Sequence, residues 1–101
     1  GVNPFLNNGT SVYYFQPFSV DLARAFQRRL LAEFRLRDLG IGRANLALAR
    51  PTWMPSALTE TMYRMIPQQE AALRAPSVQE RIARAHLRAI EDFLRARAAE
   101  R

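Results

Sequence analysis

Thr10-Ser11-Val12-Tyr13-Tyr14-Phe15 and, past Pro17, Ser19-Val20-Asp21-Leu22-Ala23 are the two runs that decide the fold class. The first is β-branched and aromatic, and it lies between the turn signal Asn7-Asn8-Gly9 and Pro17, which is strand composition between breakers. The second opens a helix. Ser19 suits the N-cap, and Asp21 falls in the first turn, where the helix dipole favours a negative charge. Leu22, Phe26, Leu30 and Phe34 then recur every four residues and, with Ala23, form one apolar stripe, while Arg24, Arg28 and Arg35 gather on the other side. That stripe predicts a helix carried on to Gly40, the natural C-terminal stop, and it needs a sheet or another helix to cover it.

Working outward, Asn3-Pro4 marks a polar loop at the start, and Gly40-Ile41-Gly42 reads as a turn. Asn45-Leu46-Ala47-Leu48-Ala49-Arg50 alternates weakly and is short enough for a strand that Pro51 ends, although its alanines suit a helix equally well. Ala57 to Thr61 reads as a buried strand. Pro67 fits the first position of a short helix through Arg74, where a missing N–H costs nothing. Ser77-Val78-Gln79-Glu80 has the capping-box pattern, and a helix from Ser77 to about Ala98 follows, with Val78, Ile82, His86, Ile90 and Phe93 on its apolar side. The order strand, helix, strand, strand, short helix, helix is an α/β mixture, a piece of sheet with flanking helices.

The 101 residues make room for one domain and bury enough surface for a real core. With no cysteine and one histidine, His86, the chain alone has neither a thiolate site nor a disulfide framework nor a multi-histidine metal centre. No uncharged apolar run is long enough to span a membrane, and the first residues do not have the form of an export signal. All 15 basic residues are arginine, against nine acidic ones. A net charge of +6 admits a phosphate-bearing partner. The arginines, however, are interleaved with acids, as on a solvated helix face, so specific nucleic-acid binding is not expected.

Among residues able to carry chemistry, Glu60 stands apart as the only acid between Asp38 and Glu70, among apolar or uncharged neighbours. A carboxylate at the end of a buried strand is either half of an ion pair, with Arg50 or Arg64 in reach along the sequence, or a working group placed where open α/β sheets put their sites. Desolvation would make it a better proton acceptor and an arginine neighbour a poorer one. His86 lies inside an apolar stripe and reads as a partly buried structural histidine. There is no nucleophile elbow and no phosphate-binding loop. Trp53, Tyr13 and Tyr14 read as core or cross-strand aromatics rather than ligand contacts.

Taken in order, these segments resemble the later part of the zinc-dependent N-acetylmuramoyl-L-alanine amidases of type 3. Asn8-Gly9-Thr10-Ser11-Val12-Tyr13-Tyr14 is similar to the family's glycine and paired-aromatic strand, and Ser19-Val20-Asp21-Leu22-Ala23 to the opening of its next helix. Leu48-Ala49-Arg50 resembles its Val-Leu-Arg strand. The most specific piece is Pro55-Ser56-Ala57-Leu58-Thr59-Glu60, which follows Pro-Ala-x-Leu-x-Glu, and Ile82-Ala83, Ile90 and Phe93-Leu94 follow the closing helix. Coverage runs from about Asn3 to Leu94. Beyond the glutamate the chain departs from the family, with Glu60-Thr61-Met62-Tyr63 and Ile66-Pro67 where members usually have Glu-x-Gly-Phe and Asn-Pro.

The resemblance implies a parent hydrolase of peptidoglycan that cuts the amide between the lactyl group of N-acetylmuramic acid and L-alanine, outside the cytoplasm. It implies zinc as cofactor, held by two histidines and one glutamate from the earlier half of the domain, the last of them expected shortly before Gly1. Residues 1–101 would then be the C-terminal part of one catalytic domain, inactive when isolated. In the family, zinc acidifies a bound water and polarises the carbonyl, and a carboxylate off the metal takes the proton and passes it to the leaving amine. By resemblance Glu60 has that role. The competing reading is a degenerate, non-catalytic amidase-like module that binds cell-wall polymer or a partner protein. Neither reading fixes an oligomeric state.

Overall fold

A computed structural model describes residues 9–61 and 67–100. The turn signals Asn3-Pro4 and Asn7-Asn8, the family departures at Met62, Tyr63 and Ile66, and Arg64 lie outside the described residues. The fold is α/β. A strand β1 (Gly9–Tyr14) leads through a 3-10 turn (Pro17–Ser19) into helix α1 (Val20–Phe34), strand β2 (Arg37–Arg43), a second 3-10 turn (Ala47–Ala49), strand β3 (Leu58–Glu60), helix α2 (Pro67–Arg74) and helix α3 (Pro76–Ala99). The sheet order is β2-β1-β3, with β2 parallel and β3 antiparallel to the central strand.

Both strands expected from composition at 10–15 and 57–61 are present, within a residue or two of those limits. The expected continuation of the first helix to Gly40 is wrong. α1 stops at Phe34, where Arg35 takes a left-handed conformation (φ 50°, ψ 34°) and its N–H caps the Leu31 carbonyl at 3.1 Å. The chain then enters β2 beside β1, and the Gly40-Ile41-Gly42 stretch read as a turn lies within this strand. Tertiary pairing wins over the helix-forming residues 35–39 because α1, already packed on the sheet, delivers its end to the open edge of β1. β2 accommodates an extra residue between its pairings Thr10↔Asp38 and Val12↔Ile41. Gly40 supplies the positive φ of 83° needed there, and its N–H is held by the Asp38 carboxylate at 2.7 Å.

The strand expected over 45–50 is a 3-10 turn instead, so the order of elements stands while its second strand lies eight residues earlier, at Arg37 rather than Asn45. The capping box also fails. Pro76 begins α3 one residue sooner, Ala75 is the cap, and Glu80 pairs with Arg84 at 2.7 Å rather than reaching back to a cap amide. A proline needs no partner for its nitrogen, which removes one of the amides a capping box would satisfy.

The core lies between one face of the sheet and the pair α1, α3. Val12, Leu22, Ala23, Phe26 and Leu30 meet Ala85, Ala89 and Phe93, with Tyr14, Ile41 and Ala57 against them. The two small alanines on α3 let the helices approach closely. Each large side chain buried this way stabilises the fold by about 1.5–3 kcal/mol. Two charged clamps set the register of the helices: Arg29 grips Asp92 through two bonds of 2.6 and 2.8 Å, and Arg81 grips the Glu33 carboxylate at 2.6 Å and its carbonyl at 2.9 Å. The pairing of 29 with 92 and 33 with 81 makes α3 run opposite to α1. Both clamps have their arginine side open to solvent, so they contribute more to register than to stability.

Candidate functional site around Glu60

The segment leading to Glu60 is fixed by its main chain. Ser19 stands at the N-cap position of α1, yet its buried hydroxyl is turned away from the helix and accepts the Ser56 N–H at 3.0 Å. Gln16 donates to the Arg50 carbonyl at 2.8 Å. Downstream, Thr10 donates from its hydroxyl to the Glu60 carbonyl at 3.1 Å, and Ser11, Val12 and Tyr13 pair with Glu60, Thr59 and Leu58. Glu60 is therefore the last residue of a short strand locked to the centre of the sheet.

Register assigns the faces. Val12 is in the core and its partner Thr59 reaches α3, where its hydroxyl meets His86 Nε2 at 2.9 Å. Val12 and Thr59 thus face the helices. Ser11, Tyr13, Leu58 and Glu60, one residue out of phase, face the other side. Among the described residues the Glu60 carboxylate has no ion-pair or hydrogen-bond partner. Of the two arginines weighed as its partner, Arg50 donates its Nε to Asn45 at 2.7 Å, and Arg64 lies outside the described residues. The location differs from the switch-point expectation. β3 is antiparallel, so its last residue lies beside Ser11, toward the amino-terminal rather than the carboxyl-terminal ends of the parallel pair.

His86 is a structural residue. Its Nδ1 donates to the Ile82 carbonyl at 2.7 Å, which leaves Nε2 for the Thr59 hydroxyl, and its ring lies 5.2 Å from that of Phe26. Both nitrogens are engaged. Trp53, expected among the core aromatics, is 79% exposed in the loop before β3, whereas Tyr13 and Tyr14 are half-buried on opposite faces of β1. Ser11 was not singled out by sequence reasoning. It is 2% exposed, and its hydroxyl is buried without a hydrogen-bond partner. Only the strand register, invisible in composition, brings it beside Glu60.

The described residues do not fit a zinc ion. No three histidine, cysteine, aspartate or glutamate side chains stand together among them, and the single imidazole is engaged on both sides. Among the described residues, too, no helix is long and apolar enough to cross a membrane.

Comparison with known proteins places this geometry. The sequence profile of the N-acetylmuramoyl-L-alanine amidase family matches residues 3–92. The catalytic domain of CwlV, an N-acetylmuramoyl-L-alanine amidase from Bacillus (Paenibacillus) polymyxa var. colistinus, superimposes with a TM-score of 0.80 at 30% identity, over 88% of this chain and 50% of that one. The N-acetylmuramoyl-L-alanine amidase AmiC2 of Nostoc punctiforme gives 0.80 at 28% identity, over 87% and 49%. The CwlD amidase from Clostridioides difficile, solved in complex with the GerS lipoprotein, shares the fold with a TM-score of 0.82 at 20% identity, over 90% and 48%. The chain thus spans about half the length of these solved structures. No curated protein sequence matches it. A profile match across residues 3–92, on a sheet that carries a lone glutamate at the end of its antiparallel strand, means that this chain belongs to the N-acetylmuramoyl-L-alanine amidase family of type 3.

Proposed function

We propose that residues 1–101 form the C-terminal part of a peptidoglycan amidase domain and that Glu60 is its general acid/base. The observation that carries this reading is the carboxylate itself: held by a paired backbone, turned to the sheet face opposite α1 and α3, and without an ion-pair partner among the described residues. An ionised carboxylate that is not spent on a neighbour is free to accept a proton. Here it takes the proton of the water that attacks the carbonyl joining N-acetylmuramic acid to L-alanine and returns it to the leaving amine. The family match and the likeness to solved amidases support the substrate class, and with it action outside the cytoplasm, where peptidoglycan lies. The reading includes a zinc ion in the longer protein, bound by side chains other than the described ones.

The test is Glu60→Gln in the longer protein, with turnover of a muropeptide and zinc content measured together. The expected result is unchanged zinc content with kcat lower by a factor on the order of 10² or more. Near-normal turnover removes Glu60 from the mechanism and leaves the non-catalytic module as the better reading.

A further inference from the structure

The sheet face that carries Glu60 holds a second unexplained group. Ser11 is the direct cross-strand partner of Glu60 in the β1–β3 pair, and it is 2% exposed with a hydroxyl that has no hydrogen-bond partner. A buried hydroxyl left unpaired costs about 1–3 kcal/mol, and native proteins rarely carry one without a use for it. Directly opposed residues of an antiparallel pair have Cβ atoms about 4.5–5.5 Å apart on one face. Glutamate has two further torsions beyond its Cβ, and rotation about them spans that gap. The neighbouring hydroxyl of β1 is already committed, since Thr10 points to the Glu60 main chain, which leaves Ser11 as the directly opposed donor for the side chain.

We propose that Ser11 is a positioning residue whose hydroxyl donates a hydrogen bond to the Glu60 carboxylate and holds it in one rotamer during catalysis. The proposal rests on the reading of Glu60 as the general acid/base. Hydrogen bonding from β1 aims one carboxylate oxygen and leaves the other free to exchange a proton with water. The serine forms no bond to substrate and gives up no proton. Its contribution is orientation, so it acts on the chemical step and not on substrate affinity.

The experiment compares Ser11→Ala, Glu60→Gln and the double variant in the longer protein, measuring kcat, KM and melting temperature. Ser11→Ala should lower kcat about 10- to 100-fold, the range of one hydrogen bond to a charged group, with KM unchanged. Its melting temperature should stay well above the assay temperature, so that the loss is one of rate and not of folding. The double variant should be no slower than Glu60→Gln alone, since the serine works only through the carboxylate. Wild-type kcat in Ser11→Ala, a raised KM in place of a lowered kcat, or additivity in the double variant each overturns the role of Ser11. If Glu60→Gln itself turns over normally, the acid/base reading has failed, and that result is distinct from a failure of Ser11 alone.

Discussion

Gly9 is the position at which the β1–β2 pairing is most exposed to test. A Cβ placed there would lie 2.2 Å from the Arg37 carbonyl oxygen and 2.8 Å from Leu39 Cγ. Carbon–oxygen contacts in sheets settle near 3.3 Å, so alanine needs the strands to part by about 1 Å. The obstructing oxygen belongs to the ladder and has no rotamer to escape into. Overpacking of this kind costs about 1–3 kcal/mol, offset by about 0.4–1 kcal/mol from the stiffer unfolded chain. Net destabilisation of about 1–2 kcal/mol lowers the melting temperature of a domain this size by roughly 4–16 °C. Gly42→Ala is the control. Its Cβ meets only ring carbons of Tyr13, at 3.2 and 3.3 Å, and a side chain can shift by the tenths of an ångström required. Thermal unfolding followed by circular dichroism ranks the two variants. Gly9→Ala melting at or above Gly42→Ala refutes the close approach of β1 to β2.

Two further outcomes follow from the helices. Arg35→Gly should raise stability by about 0.5–1 kcal/mol, because a left-handed residue with a Cβ is strained while glycine there is not; an unchanged or lower melting temperature contradicts this. The carboxyls of Asp92 and Glu33 are both held below their ordinary values, first by hydrogen bonds from Arg29 and Arg81 respectively, against a smaller opposing effect of desolvation. Groups depressed in the folded state contribute stability that is complete above the unfolded values of 3.8 and 4.5 and is lost as pH falls through the lower folded ones. Urea midpoints should therefore fall below about pH 4.5 in the parent, with a shallower fall in Asp92→Asn; identical acid limbs in the two proteins would falsify the assignment.

The elements legible in the sequence were those whose local signals agree with their packing. β1 is β-branched and aromatic between breakers, and the α1 stripe Leu22, Phe26, Leu30 is the stripe that meets α3. Glu60 was legible because a lone acid in an apolar segment has few bland explanations, and the structure removes one of them by giving Arg50 to Asn45. The end of α1 was hidden because an arginine, not a glycine, takes the left-handed position. The α3 cap was misread because Pro76, just before the serine, already starts the helix. Ser11 was invisible for a different reason: its meaning lies in a pairing between residues 49 positions apart, which no local pattern encodes.

The extra residue in β2 acts as a parity switch. Asp38 and Ile41 are three apart, an odd number, yet they stand opposite Thr10 and Val12, which are two apart, and both turn toward α1: Asp38 to the Gln27 amide at 2.8 Å, Ile41 to the apolar core. A chain read in strict alternation sends one of the two to the wrong side. Pairing the same residues in strict alternation, without the irregularity at Gly40, would put Gly40 opposite Val12 and turn Ile41 to the other face, exchanging an isoleucine that fills space for a glycine that cannot. One achiral residue thus decides which side chains the helix layer finds.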